Sequence, residues 1–385
     1  MIETAFPFLT LLLFSASILV YLEHQTRAKI FEYLPAIVLL YFSIMILSLL
    51  GVWQRTESIN TAYKAFKSNL VPAMIFLMLL QTDIRNVLRL GKKILLTFFL
   101  ASISIAVGFI LTFALLHQYF GADAWKAFGA LSGSWMGGTG NMVAIQEALN
   151  LPELGNVLII DTVNYSIWVM ILLSLVPFAS RFNQWVNADE SILSKLIHEL
   201  QSNEQTHSVD FPSLFLMLGL SLMVSLLSAQ IAPLLPTSAF LSTGTWKVLL
   251  ATTAGIIAGM SPLKPFKSSA MPLGNIMLYF IVALIASRSN FENLMNAPIY
   301  LLAGFMILMI HAMIMILFAK LFRIDLFSLG VASLANIGGV ASAPILAEAY
   351  NKALVQIGVL MAMMGYIIGT FSGLGVSKIL MIIAS

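Results

Sequence analysis

LSGSWMGGTGNMVAIQEALN, residues 131–150, returns 201 positions later as ASLANIGGVASAPILAEAYN, residues 332–351. Gly137 and Gly138 fall on Gly338 and Gly339, Glu147 on Glu348, and Asn150 on Asn351. Each copy lies in a long apolar region, and each places small and polar residues where a membrane helix would carry Leu and Ile. A glycine-interrupted apolar segment at matching positions in two halves of a chain points to the binding site of a membrane transporter.

Composition sets the same frame. Of 385 residues, 59% are hydrophobic and 10% charged, against about 25% charged in a soluble chain, and the mean hydropathy is +0.94. The chain reads as an all-α polytopic membrane protein. The net charge is +3, with basic residues gathered in loops, and nothing suggests nucleic acid as a partner. Without cysteine there is no disulfide framework, thiolate metal site or Cys nucleophile. The N-terminus lacks a basic region ahead of its apolar run, so residues 5–22 read as a first span rather than a cleaved signal.

Taking about 20 apolar residues per span, the first half offers spans at 5–22, 34–53, 69–81, 94–117 and 154–178, with the signature at 125–150. The third is short, contains Pro72 and follows a polar stretch, 54–68. The second half offers 211–235, 246–262, 271–287, 298–322 and 353–384, with its signature at 325–351. The expected organisation is a first repeat, 1–180, a polar linker, 181–210, and a second repeat, 211–385. In the linker, Ile192, Leu193, Leu196, Ile197 and Leu200 recur at helical spacing behind Asp189 and Glu190, the pattern of a surface amphipathic helix. A weaker echo relates 83–87 to 290–294.

If both signature segments are re-entrant hairpins, each half crosses five times and the halves are inverted repeats. Thirteen of the 20 basic residues then face the cytoplasm, including Arg85, Arg89, Lys92 and Lys93, as the positive-inside rule favours. Both termini lie outside. If both segments cross, the halves are parallel and that basic cluster falls outside. The cluster favours inverted hairpins, with a broken crossing helix as the alternative.

Irregular backbone at membrane depth survives only inside protein or beside a cavity. A helix break frees N–H groups that favour anions and carbonyls that favour cations. The expected solute site therefore comprises Ser134, Gly137, Gly138, Thr139 and Asn141 of the first segment, Asn336, Gly338, Gly339 and Ser342 of the second, and Tyr165 and Tyr366, which also match at the 201-residue offset. Close packing through small residues is the competing reading. Asp161 stands alone in an apolar run, with Asn164, Tyr165 and Trp168 on its helical face and Ala362 at its matching position. A membrane-embedded carboxylate is a functional candidate by default, so Asp161, Asn141 and Asn164 form the candidate site for Na⁺ or a proton. Glu147 and Glu348, at the segment ends, read as interfacial. His311 reads as an interhelical hydrogen-bond partner, with proton relay as its alternative. The sequence shows no nucleophile with a paired base, no HExxH and no P-loop, so neither an enzyme nor an ATP-driven pump is expected.

The run 133–149, the run 335–344 and the run 365–370 (GYIIGT) resemble the hallmarks of bacterial membrane proteins catalogued as domain of unknown function 819. The resemblance covers nearly the whole chain. That family is grouped with the cation:proton antiporter and bile-acid:sodium symporter superfamily. The grouping implies inverted repeats, a core built from about 125–178 and 325–384, a scaffold from the rest, elevator-type alternating access and a homodimer. Relatives that use paired acidic residues differ from this chain, where Asp161 has no acidic neighbour. The expected function is a secondary active transporter of a small anionic organic solute coupled to Na⁺ or H⁺, multi-pass in the bacterial inner membrane, with no cofactor beyond a coupling ion. The alternative is a monovalent cation/proton antiporter without an organic substrate. A receptor or assembly factor would need a soluble domain that the chain does not offer, and an intramembrane enzyme has still less in its favour.

Overall fold

The computed structural model describes residues 1–26, 31, 36–80, 90–188, 209–238, 242–261, 263, 266–288, 297–351 and 354–385. The expected linker helix at 192–200, the 83–87/290–294 echo and most of the Arg85 loop lie outside these residues.

In chain order the helices of the first half are α1 (Ala5–Thr26), α2 (Ala36–Leu49), α3 (Glu57–Leu80), α4 (Lys92–Leu116), α5 (Ala124–Gly137), α6 (Thr139–Ala148) and α7 (Gly155–Leu175). A short α8 (Ala179–Val186) follows. The second half holds α9 (Phe211–Ile231), α10 (Thr243–Gly259), α11 (Lys267–Ala286), α12 (Ala297–Phe322), α13 (Leu326–Ile337), α14 (Gly339–Tyr350) and α15 (Val355–Ala384). Eight helices among the described residues are long and apolar enough to cross a membrane. The molecule is a polytopic helical membrane protein.

The third span is longer than its apolar stretch. α3 begins at Glu57 rather than near residue 69, because Ile59 and Tyr63 give the polar stretch an apolar face that packs inward. Proline in a helix removes one N–H and crowds the preceding turn. Pro72 is nevertheless buried within α3, where the Ser225 hydroxyl of α9 donates to the Asn69 carbonyl at 2.6 Å. A neighbouring helix thus satisfies backbone at the strained turn, as membrane proteins require.

The helices fall into two packed groups. α3 lies against α9, α10 and α11, with α1 and α2 alongside α11. The second group joins α4 to α12, and α15 to α5, α13 and α14, with α7 against α5 and α12. The α5–α15 pairing is the tightest. Gly129, Gly133 and Gly137 of α5 face Ser377, Gly373 and Gly369 of α15 in antiparallel register. A Cβ at Gly373 would lie 2.9 Å from the Gly133 Cα, and one at Gly369 2.6 Å from the Gly137 Cα. Small residues every fourth position bring two backbones together where apolar lipid offers helices no hydrophobic drive to associate.

α5 and α6 fold back on one another. A Cβ on Gly133 would run into the Ile145 side chain, which a continuous helix would hold far away. Gly138, with φ of 93°, makes the turn, a backbone conformation open to glycine. α13 and α14 fold back likewise, with Gly330 against Leu346. The base of the first hairpin leads into the start of α7. The base of the second is held near α7's far end, where the Asn183 side chain of α8 accepts from the Leu326 N–H at 2.8 Å.

Candidate functional site

The two hairpin tips meet the middle of α7 and α15. A Cβ at Gly365 of α15 would lie 3.2 Å from the Met136 carbonyl and 3.3 Å from that of Ala335, so both tips converge there. The tyrosines are exchanged between the halves. Tyr165 of α7 abuts Gly338 at the second tip, while Tyr366 of α15 abuts Gly138 at the first. Gly138, Thr139, Gly338, Tyr165 and Asp161 are all partly accessible amid buried neighbours.

Asp161 sits one turn before Tyr165 on α7 and faces α5. The Ser134 hydroxyl lies 3.1 Å from both carboxylate oxygens, and the Trp135 indole N–H donates to Oδ1 at 3.0 Å. The indole is itself braced edge-on by Phe109, ring centres 5.5 Å apart. No Lys, Arg or His pairs with Asp161 among the described residues. Its charge is therefore met by two hydrogen bonds and no counter-charge, a setting in which a bound cation gains most.

The carboxamides expected beside Asp161 turn elsewhere. Asn141 donates to the Gly137 carbonyl at 2.7 Å and accepts from Thr370 at 2.6 Å. Asn164 donates to the Leu301 carbonyl of α12 at 3.2 Å, with its oxygen buried and unpartnered beside Gly304. Asp161, Asn141 and Asn164 thus have separate partners, and no hydrogen bond joins any two of them among the described residues. Sodium is a hard ion that collects several oxygens. Here it would find the Asp161 carboxylate and the Ser134 hydroxyl, whereas a proton needs a single carboxylate lone pair.

Asn336 is also engaged, accepting from Ser102 at 2.6 Å and donating to Ala332 O at 2.9 Å. Ser342 differs. Its hydroxyl is buried in the first turn of α14 beside Tyr165 and Gly338, without a well-formed hydrogen bond. Of the expected solute-site residues, those at the tips converge with both tyrosines, while Asn141 and Asn336 hold the hairpins to their neighbours. Glu348 is exposed, and Glu147 pairs with Lys67 of α3 at 3.0 Å.

His311 lies fully buried between four helices. Trp168 donates to Ser333 Oγ at 2.8 Å, Ser333 Oγ lies 2.8 Å from His311 Nε2, and His311 Nδ1 lies 2.7 Å from Ser104 Oγ. The Ser104 hydroxyl donates to the Ala101 carbonyl. One assignment satisfies every atom: the proton on Nδ1 and a bare Nε2 accepting from Ser333. A neutral ring in that tautomer ties α4, α7, α12 and α13 together, which favours the hydrogen-bond reading of His311 over the relay.

The sequence reading missed Trp135, Ser102, Ser104, Ser333 and Thr370. Trp135 carried a signal, as the single large polar-tipped ring in a run of small residues. The serines and Thr370 carried none, since one hydroxyl in an apolar helix looks like any other.

A family model described as "Protein of unknown function (DUF819)" matches residues 10–383. The chain is also similar to the uncharacterized membrane protein YjcL of Bacillus subtilis (strain 168), 25% identical over 332 residues that cover 82% of each chain.

Proposed function

The chain belongs to the DUF819 family, and from that premise we propose that it is a secondary active transporter moving a small organic anion with a cation. The observation that carries this is Asp161: a carboxylate at membrane depth, hydrogen-bonded by Ser134 and Trp135 and lacking a basic partner among the described residues. The geometry favours H⁺ as the cation, because the Asn141 oxygen already accepts from Thr370 and the unpartnered Asn164 oxygen lies against Gly304 of α12, so neither completes a sodium shell at Asp161.

The coupling follows from charge. The α14 N-terminus, with Gly338, Gly339 and the Ser342 hydroxyl, offers N–H and O–H donors to an anion. Asp161, one turn from Tyr165 at that tip, repels an anion while it is charged and ceases to when a cation neutralises it. The anion therefore binds after the cation, and the two cross together. The second reading, cation/proton exchange without an organic substrate, uses Asp161 in the same way and leaves Ser342 without a role.

The two halves are read as inverted repeats whose hairpins enter from opposite faces. The hairpins with α7 and α15 act as the moving core, as expected for 125–178 and 325–384, and the remaining helices as the scaffold, with α4 and α12 the scaffold helices that pack on the core, in an elevator-type cycle. A homodimer in the bacterial inner membrane with external termini completes the picture. Reconstituted protein tests the reading through vesicles loaded with a pH-sensitive dye and challenged with a panel of organic anions. An anion that acidifies the lumen of wild-type vesicles but not of Asp161→Asn vesicles supports it. Equal acidification by both removes Asp161 from the mechanism.

A further inference from the structure

The two hairpins are held in different ways. The second is fixed within its own helix group, through Ser333 to His311 and Trp168 and through Asn336 to Ser102. The first packs on α15 within that group through α5, and is fixed to the opposing group as well through α6. α6 runs antiparallel along α3, from Lys67 against Glu147 at its base to Met78 against Gly140 at its tip, where a Cβ on Gly140 would lie 2.5 Å from the Met78 sulfur. At the base, the Lys67–Glu147 pair is well shielded, its side chains 13% and 17% exposed. The hydroxyls of Ser242 and Thr245, at the start of α10, lie 3.1 and 3.2 Å from the Ala148 carbonyl. At the tip, Ile75, Met78 and Leu79 close over Gly140, Asn141 and Tyr366, leaving a cavity of about 10 Å³, room for roughly one water. Among the described residues no comparably extensive contact joins α13 or α14 to α1–α3 or α9–α11.

We propose that the base of the first hairpin is a polar latch, made by Lys67, Glu147, Ser242, Thr245 and the Ala148 carbonyl, that holds the α3–α6 seam shut and must release before the side of the hairpin tip that lines the seam, Gly140 and Asn141, becomes accessible. The division of chemistry along the seam is the reason. At the tip the contact is apolar and made by a flexible Met side chain, which adapts to irregular space at small cost. At the base it is directional and charged, so it holds one register and is lost when the surfaces separate. Removing one member of a shielded pair strands the other. The inference concerns the seam alone and does not depend on Asp161 or on what is carried.

The absence of cysteine allows single-cysteine reporters in an otherwise unaltered chain. Met78→Cys and Ile75→Cys report on the seam, and Val331→Cys, buried in α13, reports on the fold away from it. In detergent, a water-soluble maleimide should modify the seam reporters slowly in the wild-type background. Glu147→Gln or Lys67→Met should speed modification about tenfold, the factor that about 1.4 kcal/mol of lost coupling gives. Val331→Cys should stay slow, and the exchange of Lys67→Glu with Glu147→Lys should restore slow modification at the seam. Unchanged rates at both seam reporters in the single variants would overturn the proposal. So would a rise at Val331→Cys equal to that at the seam, because the pair would then be holding the fold and not the seam.

Discussion

Trp135 donates its indole N–H to Asp161 at 3.0 Å from the last turn of α5, so the carboxylate is oriented by the hairpin and not by its own helix. An indole N–H only donates, which fixes Oδ1 as the acceptor and leaves Oδ2 to Ser134 and to an incoming cation. Replacing Trp135 with Phe removes the donor while keeping an aromatic ring against Phe109. Loss of a hydrogen bond to a charged group costs about 1.5–3 kcal/mol. Trp135→Phe should lower the melting temperature of the purified protein, and most of that loss should disappear in a chain that also carries Asp161→Ala, which has no acceptor for the indole. Additive losses would show that Trp135 matters for packing alone.

The glycine register between α5 and α15 makes a second prediction. Gly369→Ala drives a methyl to within 2.6 Å of the Gly137 Cα, which is backbone and cannot rotate away. Overpacking of this kind costs about 1–3 kcal/mol. Gly375→Ala on the same helix meets nothing within 4 Å and should be neutral or mildly stabilising, since Ala is the better helix former by about 1 kcal/mol. Melting temperatures of the two variants, compared in one detergent, check the contrast.

His311 yields a third. The hydrogen-bond chain from Trp168 to the Ala101 carbonyl admits a neutral ring with its proton on Nδ1. Nitrogen chemical shifts of labelled histidine should show that tautomer at this site. His311→Ala strands the Ser333 hydroxyl in a sealed core and leaves a cavity, so it should destabilise by about 2–4 kcal/mol. A resonance from the ring protonated on both nitrogens would return His311 to the list of proton carriers.

The sequence disclosed the membrane class, because apolar runs of helical length need no tertiary information. It also disclosed the positions of the two breaks, because Gly137-Gly138 and Gly338-Gly339 repeat at one offset. It did not disclose the exchange of tyrosines between the hairpins. Tyr165 and Tyr366 match at the same offset as the tips, yet each serves the other half's tip, and a linear offset says nothing about which half a helix packs on. The start of α3 was missed because its polar residues looked like a loop, while the apolar face formed by Ile59 and Tyr63 shows only when the stretch is wound into a helix. Asn141 and Asn164 were grouped with Asp161 on residue chemistry, and the structure instead gives them partners on α15 and α12. The four-residue glycine spacing at 129–137 and 365–373 was readable, and its meaning came only with the antiparallel pairing.

The measurement that bears most directly on Asp161 as the coupling site is thermal unfolding of purified wild type and Asp161→Asn in Na⁺, K⁺ and choline across a range of pH. A ligand at about 100 times its dissociation constant adds about 2.7 kcal/mol to the folded state, well within what a melt resolves. The account predicts a pH dependence in the wild type that Asp161→Asn alters, with the three cations interchangeable in both. A stabilisation specific to Na⁺ and absent from Asp161→Asn would keep the site and replace the proton with sodium. Superimposable responses of the two proteins to pH and to every cation would contradict the account and leave Asp161 a structural residue.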